Sequence, residues 1–260
     1  MRHNFRAAIR CLHEGSNYAR TRYWYARHYG RLGPVRDAAF AAYMKQSPRG
    51  LHIGASDAAL EKWFNTDLEP HSPGVYYLDA TLPFPFSDHC FDFVFSEHMI
   101  EHIPFSAGLH LLSECKRVLK PGGVIRIATP NLRNIVALIT ARDAEADRYL
   151  DWAVETFQLP KSGYPKAPMV VNNFFRSWGH QFLYDPETLQ EAMAQSGFCD
   201  IGQKAPGRSS RPFLQNLERH GEVFGDWINQ FETMVFEGTA IGQDAKLGER
   251  GAKSHEAGRQ

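Results

Sequence analysis

No stretch of this 260-residue chain approaches 18 consecutive apolar residues, which excludes a membrane-spanning helix. The opening residues, MRHNFRAAIRCLHEG, hold no apolar run long enough for a secretory signal, so the expected compartment is the cytoplasm. Cysteine is scarce. Its four positions, 11, 90, 115 and 199, make no C-x-x-C pair. That spacing argues against a dithiol motif and predicts reduced, partly buried thiols. Net charge is absent: Lys and Arg total 29, and so do Asp and Glu. No overall field therefore favours nucleic acid or an anionic membrane, and neither is expected as a partner. What is present is apolar material, 43% of residues, enough for one α/β domain with additions.

Residues 1–48 predict a basic N-terminal helical extension, with NYARTRYWYARHYGRL rich in Arg and Tyr. The pattern then changes to short apolar runs: GLHIGAS (50–56), WFNTDLEP (63–70), GVYYLDA (74–80), FDFVFS (91–96) and VIRIAT (124–129). PFPFSDHC (83–90), with its two prolines, can only be a loop. Residues 106–119 space their apolar side chains as a helix, which KPGG (120–123) should end. DPETLQEAMAQSGF (185–198) predicts a helix with Asp185 as N-cap and Gly197 past its end. CDIGQKA and FETMVFEGTA (231–240) predict two last strands. Strands alternating with helices imply a parallel sheet with right-handed crossovers. The main domain is thus expected over 49–240. Its insertion at about 141–184 is aromatic- and proline-rich and is expected to form a lid or acceptor wall. The composition of 241–260 predicts a disordered tail.

Open parallel sheets bind ligands beyond the carboxyl ends of their strands, so those ends hold the candidate site residues. The first ends Gly54-Ala55-Ser56, small residues that let backbone N–H groups approach a ligand. The second ends at Asp67, an acid suited to ribose hydroxyls. The third ends at Asp79, suited to a purine amino group, and the fourth at Ser96-Glu97-His98.

Taken together, LHIG…W-x-N-T-D, LPFP…FD-x-VFSEH-x-IEH, RVLKPGG-x-IRIATP and WGHQFLYDPETL…SGF resemble class I S-adenosylmethionine-dependent methyltransferases of the methyltransferase type 11 group. The resemblance covers about residues 50–240. It implies a Rossmann-like seven-stranded sheet, mostly parallel with an antiparallel last strand and helices on both faces. It implies S-adenosylmethionine as cofactor, held by Gly54, Ala55 and Ser56 at the methionine end, by Asp67 at the ribose and by Asp79 at the adenine, with Ser96 alongside. It points loosely to O-methylation of a small-molecule or saccharide acceptor. One departure is plain: the usual glycine-rich turn is reduced to Gly54, and Asp67 follows so soon that the first helix must be very short. Ala55 and Ser56 keep their backbone donors if φ stays negative.

FSEHMIEHIPF (95–105) raises a second possibility, because His98-x-x-Glu101-His102 reads as an inverted zinc-hydrolase signature. As a helix, the segment would gather Glu97, His98, Glu101 and His102 in an arc of about 140°, with Met99, Ile100 and Ile103 opposite. The pattern lacks a third ligand, so no metal is expected. The strand-four exit is where such methyltransferases meet cofactor and acceptor. His98 is therefore the expected general base, with Glu97 or His102 in reserve and His180 able to approach from the insertion. A zinc-dependent hydrolase and a non-catalytic binding module with a degenerate cofactor site are the alternatives.

Overall fold

The computed structural model of the protein describes residues 31–160 and 163–242; most of the expected N-terminal extension and nearly all of the expected tail lie outside them. The chain divides into two compact units, Met1–Lys45 and Gln46–Gln260. The first contains helix α1, described over residues 31–43. The second contains the sheet.

That sheet has seven strands in the order β3-β2-β1-β4-β5-β7-β6. Strands β1 (Gly50–Ile53), β2 (Trp63–Asp67), β3 (Val75–Tyr77), β4 (Phe91–Glu97) and β5 (Leu119–Pro130) pair in parallel. Strand β7 (Thr233–Ala240) runs antiparallel between β5 and β6 (Phe198–Lys204). The expected Rossmann-like sheet is present, with its antiparallel last strand inserted next to β5. Helices α2 (Phe105–Val118) and α6 (Pro186–Gln195) join it, the latter capped by Asp185, whose Oδ1 accepts from the Thr188 amide at 2.9 Å. The helix α2 ends where expected, but KPGG belongs to β5, whose first residue is Leu119.

The loop expected at 83–90 is present, but the very short helix expected after β1 is not, and no crossover helix forms in the first half of the sheet. Residues 54–62, 68–74 and 78–90 carry no helix. The first link is too short to climb a helix and return, and Pro70, Pro73, Pro83 and Pro85 break the others. Register explains how the exposed face is closed. His52 pairs with Phe95, Phe95 with Arg126, and Arg126 with Glu237, so these side chains share one face. Phe213, Leu214 and Leu217 cover it, packing with Leu60, Trp63, Phe93, Phe95 and Val124. A loop with one 3₁₀ turn (Pro212–Leu214) thus takes the place of a helix layer.

This loop is fastened by charge. Arg126, fully buried, donates from Nε to Glu218 at 2.6 Å and from Nη1 to Glu237 at 2.7 Å and the Arg208 carbonyl at 3.0 Å. A buried guanidinium needs such partners, because desolvation of an unpaired charge is prohibitive.

A short helix α3 (Leu132–Ala137) follows β5, the insertion folds as α4 (Ala144–Thr156) and α5 (Lys166–Arg176), and α7 (His220–Phe224) and α8 (Asp226–Glu232) come later. Tyr149, Leu150, Ala153, Val154, Val170 and Phe174 form their common core with Ile228. Phe174 and Tyr184 are packed, whereas Phe175 and Trp178 are about half exposed. Cys90 and Cys115 are buried and free, and burial pushes the Cys90 thiol up to about 11.

Two stability measurements check this account. Arg126→Leu strands two buried carboxylates and should cost about 3–5 kcal/mol in urea unfolding, while also replacing Glu218 and Glu237 by leucine should recover most of that loss. The second concerns His52, buried on β1, whose Nδ1 faces Asn65 Oδ1 at 3.0 Å. Asn65 Oδ1 already accepts from the Leu60 amide, so the ring donates. Burial lowers the His52 pKa to about 4, against a partial opposing effect of Asn65. Between about pH 6.5 and 4 the unfolded chain therefore binds the extra proton. Stability present above pH 6.5 should fall by about 3 kcal/mol on acidification to pH 4, and His52→Phe should flatten that part of the profile.

Candidate functional site

The carboxyl ends of β1, β2 and β4 meet at one edge. Gly54 leaves β1 with φ +78°, and both Gly54 and Ala55 donate to the Thr66 carbonyl, at 2.9 and 3.0 Å. Ser56 then takes φ +44°. The expectation that this turn keeps negative φ is corrected: Ser56 occupies the left-handed region that a glycine would enter without strain. Its amide donates to Asp67 Oδ2 at 2.8 Å, and the Glu69 amide donates to Asp67 Oδ1 at 2.8 Å. The acid thus holds the short turn in place of a helix. A carboxylate accepts about four hydrogen bonds, so each Asp67 oxygen retains capacity for a ligand. Asp79 closes a turn of its own, accepting from the Thr81 amide at 2.9 Å and hydroxyl at 2.6 Å.

The β4 exit is not helical. His98 has φ +45°, and one 3₁₀ turn, Ile100–His102, follows before Pro104. The predicted four-residue polar arc is corrected accordingly: Glu101 points inward and is fully buried. Its Oε1 lies 3.2 Å from His98 Nδ1, and its Oε2 accepts from the Thr129 hydroxyl at 3.0 Å. His98 Nε2 lies 3.0 Å from Thr233 Oγ1, and the ring stacks on His220 at 4.1 Å. Burial opposes charge on both partners, yet their mutual bond wins: with Glu97 and Glu232 nearby it raises the His98 pKa, and with His102 nearby it lowers that of Glu101. His220 in turn bonds Glu232, which also accepts from the Tyr149 hydroxyl. Glu97 accepts the Arg219 amide at 2.8 Å and the His220 amide at 3.0 Å. The zinc-hydrolase signature is not formed, because it needs His98 and His102 one helical turn apart and the helix does not exist.

His180 arrives from the insertion. The Gln181 and Phe182 amides donate to the Glu101 carbonyl at 2.8 and 3.2 Å, and Gln181 Nε2 donates to the His102 carbonyl at 2.7 Å. His180 and His102 stand edge to face, 4.9 Å between ring centres. The structure therefore brings His98, Glu101, His102 and His180 together. It also adds Thr129, His220, Glu232 and Thr233, which sequence reasoning missed. Only the polar start of FETMVFEGT signalled any of these.

Two observations fit the cofactor implied by the fold: the spare acceptor capacity of Asp67, and Ser96 Oγ, buried at the β4 exit without a hydrogen-bond partner. Gly54 is covered by Met99, whose Cγ would stand 2.6 Å from a Cβ placed there. A methionine is a compliant neighbour that can be displaced.

Residues 38–127 match the Methyltransf_11 family model, a methyltransferase domain. The match takes in 90 of the 260 residues, and that segment is similar to a methyltransferase domain. No curated protein matches the chain. Among solved structures, a SAM-dependent methyltransferase from Archaeoglobus fulgidus is 18% identical, with 84% of this chain and 99% of that one covered and a TM-score of 0.45. An S-adenosylmethionine-dependent methyltransferase from Mesorhizobium loti is 16% identical, covering 74% and 90%, with a TM-score of 0.42. Phosphoethanolamine N-methyltransferase 2 of Haemonchus contortus, solved with S-adenosyl-L-methionine, is 18% identical, covering 75% and 49%, with a TM-score of 0.38. No described helix is long and apolar enough to cross a membrane.

The left-handed serine gives a direct test. A side chain in that region costs about 1–2 kcal/mol, of which glycine's greater unfolded freedom returns about 0.5–1. Ser56→Gly should therefore raise stability by about 0.5–1 kcal/mol, read as a higher urea midpoint at unchanged slope.

Proposed function

We propose that the chain transfers the methyl group of S-adenosylmethionine to an oxygen of a small-molecule or saccharide acceptor, with the cofactor along Gly54, Ala55, Ser56, Asp67, Asp79 and Ser96. The observation that carries this reading is Asp67, whose carboxylate is fixed by two backbone amides while keeping acceptor sites for ribose hydroxyls. S-adenosylmethionine supplies a sulfonium methyl donor that is already activated. The protein's part is to align the acceptor and exclude water.

In this reading His98 is a positioning residue, which replaces the general-base expectation. Both ring nitrogens are engaged, so it offers no lone pair to an acceptor proton and instead orients Glu101. Glu97 likewise anchors the Arg219–His220 backbone. The insertion supplies the acceptor wall. Phe175, His180 and Phe182 line a cleft of about 350 Å³, and half-exposed Phe175 offers an aromatic face of the kind sugars stack on.

Calorimetry with S-adenosylmethionine tests the assignment. Asp67→Ala should weaken binding by about 1.5–3 kcal/mol, as for hydrogen bonds to a charged group. Unchanged affinity in the folded variant would remove Asp67 from the cofactor site.

A further inference from the structure

The sequence pattern at 98–102 lacked a third metal ligand, and the fold provides one from an unexpected direction. Glu101, His102 and His180 place one ligand atom each within 4.8 Å of one another. Two histidines and a carboxylate are a donor set that suits divalent transition metals and leaves coordination positions open.

The surroundings are those of a built site. His180 Nδ1 lies 2.7 Å from the Phe174 carbonyl oxygen, so Nδ1 carries the proton and Nε2 keeps its lone pair. This backbone bond is the usual device that orients a metal-binding imidazole. Glu101 is fully buried and oriented by His98 and Thr129, each of which uses one acceptor direction on one oxygen. The two segments are clasped by three hydrogen bonds from Gln181 and Phe182 to the carbonyls of Glu101 and His102. His102 is half-buried on a short turn, so its ring can rotate to close the triad. Metal bonds of about 2.1 Å bring tetrahedral ligands to about 3.4 Å apart, a contraction within reach of such a rotation. His180 also lines the cleft assigned above to the acceptor.

We propose that Glu101, His102 and His180 hold one divalent transition-metal ion, of the zinc, manganese, iron or cobalt type, whose open positions take an oxygen of the acceptor. The acceptor role rests on the methyltransferase reading; the metal site does not. A bound ion orients that oxygen and lowers the pKa of its hydroxyl, whose proton leaves to solvent water, the task for which His98 has no free nitrogen.

The test uses the full chain without a polyhistidine tag, stripped with chelator. Titration with Zn²⁺ and Mn²⁺ should show one equivalent bound, confirmed by elemental analysis. Substitution by Co²⁺ should give visible bands of a low-coordinate histidine site. His180→Ala and His102→Ala should each weaken binding at least 100-fold, while His71→Ala, a surface control, should leave it unchanged. Circular dichroism identifies a variant that fails to fold, and the other ligand variant then decides. Absence of saturable binding, or equal affinity in wild type and a folded ligand variant, overturns the site. Calorimetry with S-adenosylmethionine on the same samples separates the two ideas. Metal without cofactor binding leaves the site standing and removes the methyltransferase reading, and the reverse result does the opposite.

Discussion

A guanidinium at the centre of a sheet face governs much of this structure. Arg126 cannot be buried alone, and the two carboxylates that pair with it come from different places. Glu237 is its neighbour across β7, so that pair is set by strand register. Glu218 lies on the loop that closes the face, so the second pair fixes the loop. From that loop, the Arg219 and His220 amides reach Glu97 at the β4 exit. A buried ion network of this kind contributes little net stability compared with apolar packing, but it fixes which segment covers the sheet. Here it substitutes for the helices that the short first links cannot form.

Glu101 plays the corresponding part at the site. Its carboxylate binds His98 and Thr129, and its backbone carbonyl receives both Gln181 and Phe182. One residue thus joins β4, β5 and the insertion. The turn after β1 is organised in a similar way, since the Asp67 carboxylate holds it through the Ser56 and Glu69 amides. These two acids work from opposite conditions. Glu101 is wholly enclosed, whereas Asp67 is partly exposed and keeps room for a ligand.

The strands were legible because each apolar run stops at a residue with turn chemistry, and the helix at 186–195 because Asp185 and Gly197 bracket it. The resemblance to methyltransferase domains followed from those strand ends taken with their motifs, and the family match falls on residues 38–127. The β4 exit was not legible. Glutamate and histidine at helical spacing look the same whether or not His98 adopts positive φ, and only Pro104 hinted at a short turn. The loop after β3 was legible from its prolines, whereas the general alternation of strands and helices gave no sign that the links after β1 and β2 hold no helix at all. Arg126 reads as an ordinary polar residue inside a strand, because its partner Glu218 is 92 positions away. The meeting of Glu101 and His102 with His180 is equally non-local, and no spacing rule reaches across it.

The β4 exit is finished only by residues more than 120 positions later. Glu97 waits for amides 122 and 123 positions later, and His98 for a hydroxyl 135 positions later. At synthesis rates of about 5–20 residues per second, that interval is on the order of ten seconds. Until then, the emerging polypeptide carries paired β1, β2 and β4 with a charged, unsatisfied rim. Closing such long loops is slow, so the rim is among the last parts of the molecule to order. A chain halted before Thr233 would keep all five parallel strands and the Asp67 turn, yet lack the Thr233 hydroxyl that bonds His98. The β4 exit is therefore completed only once residues 219–233 have been made, and not with strand β4 itself.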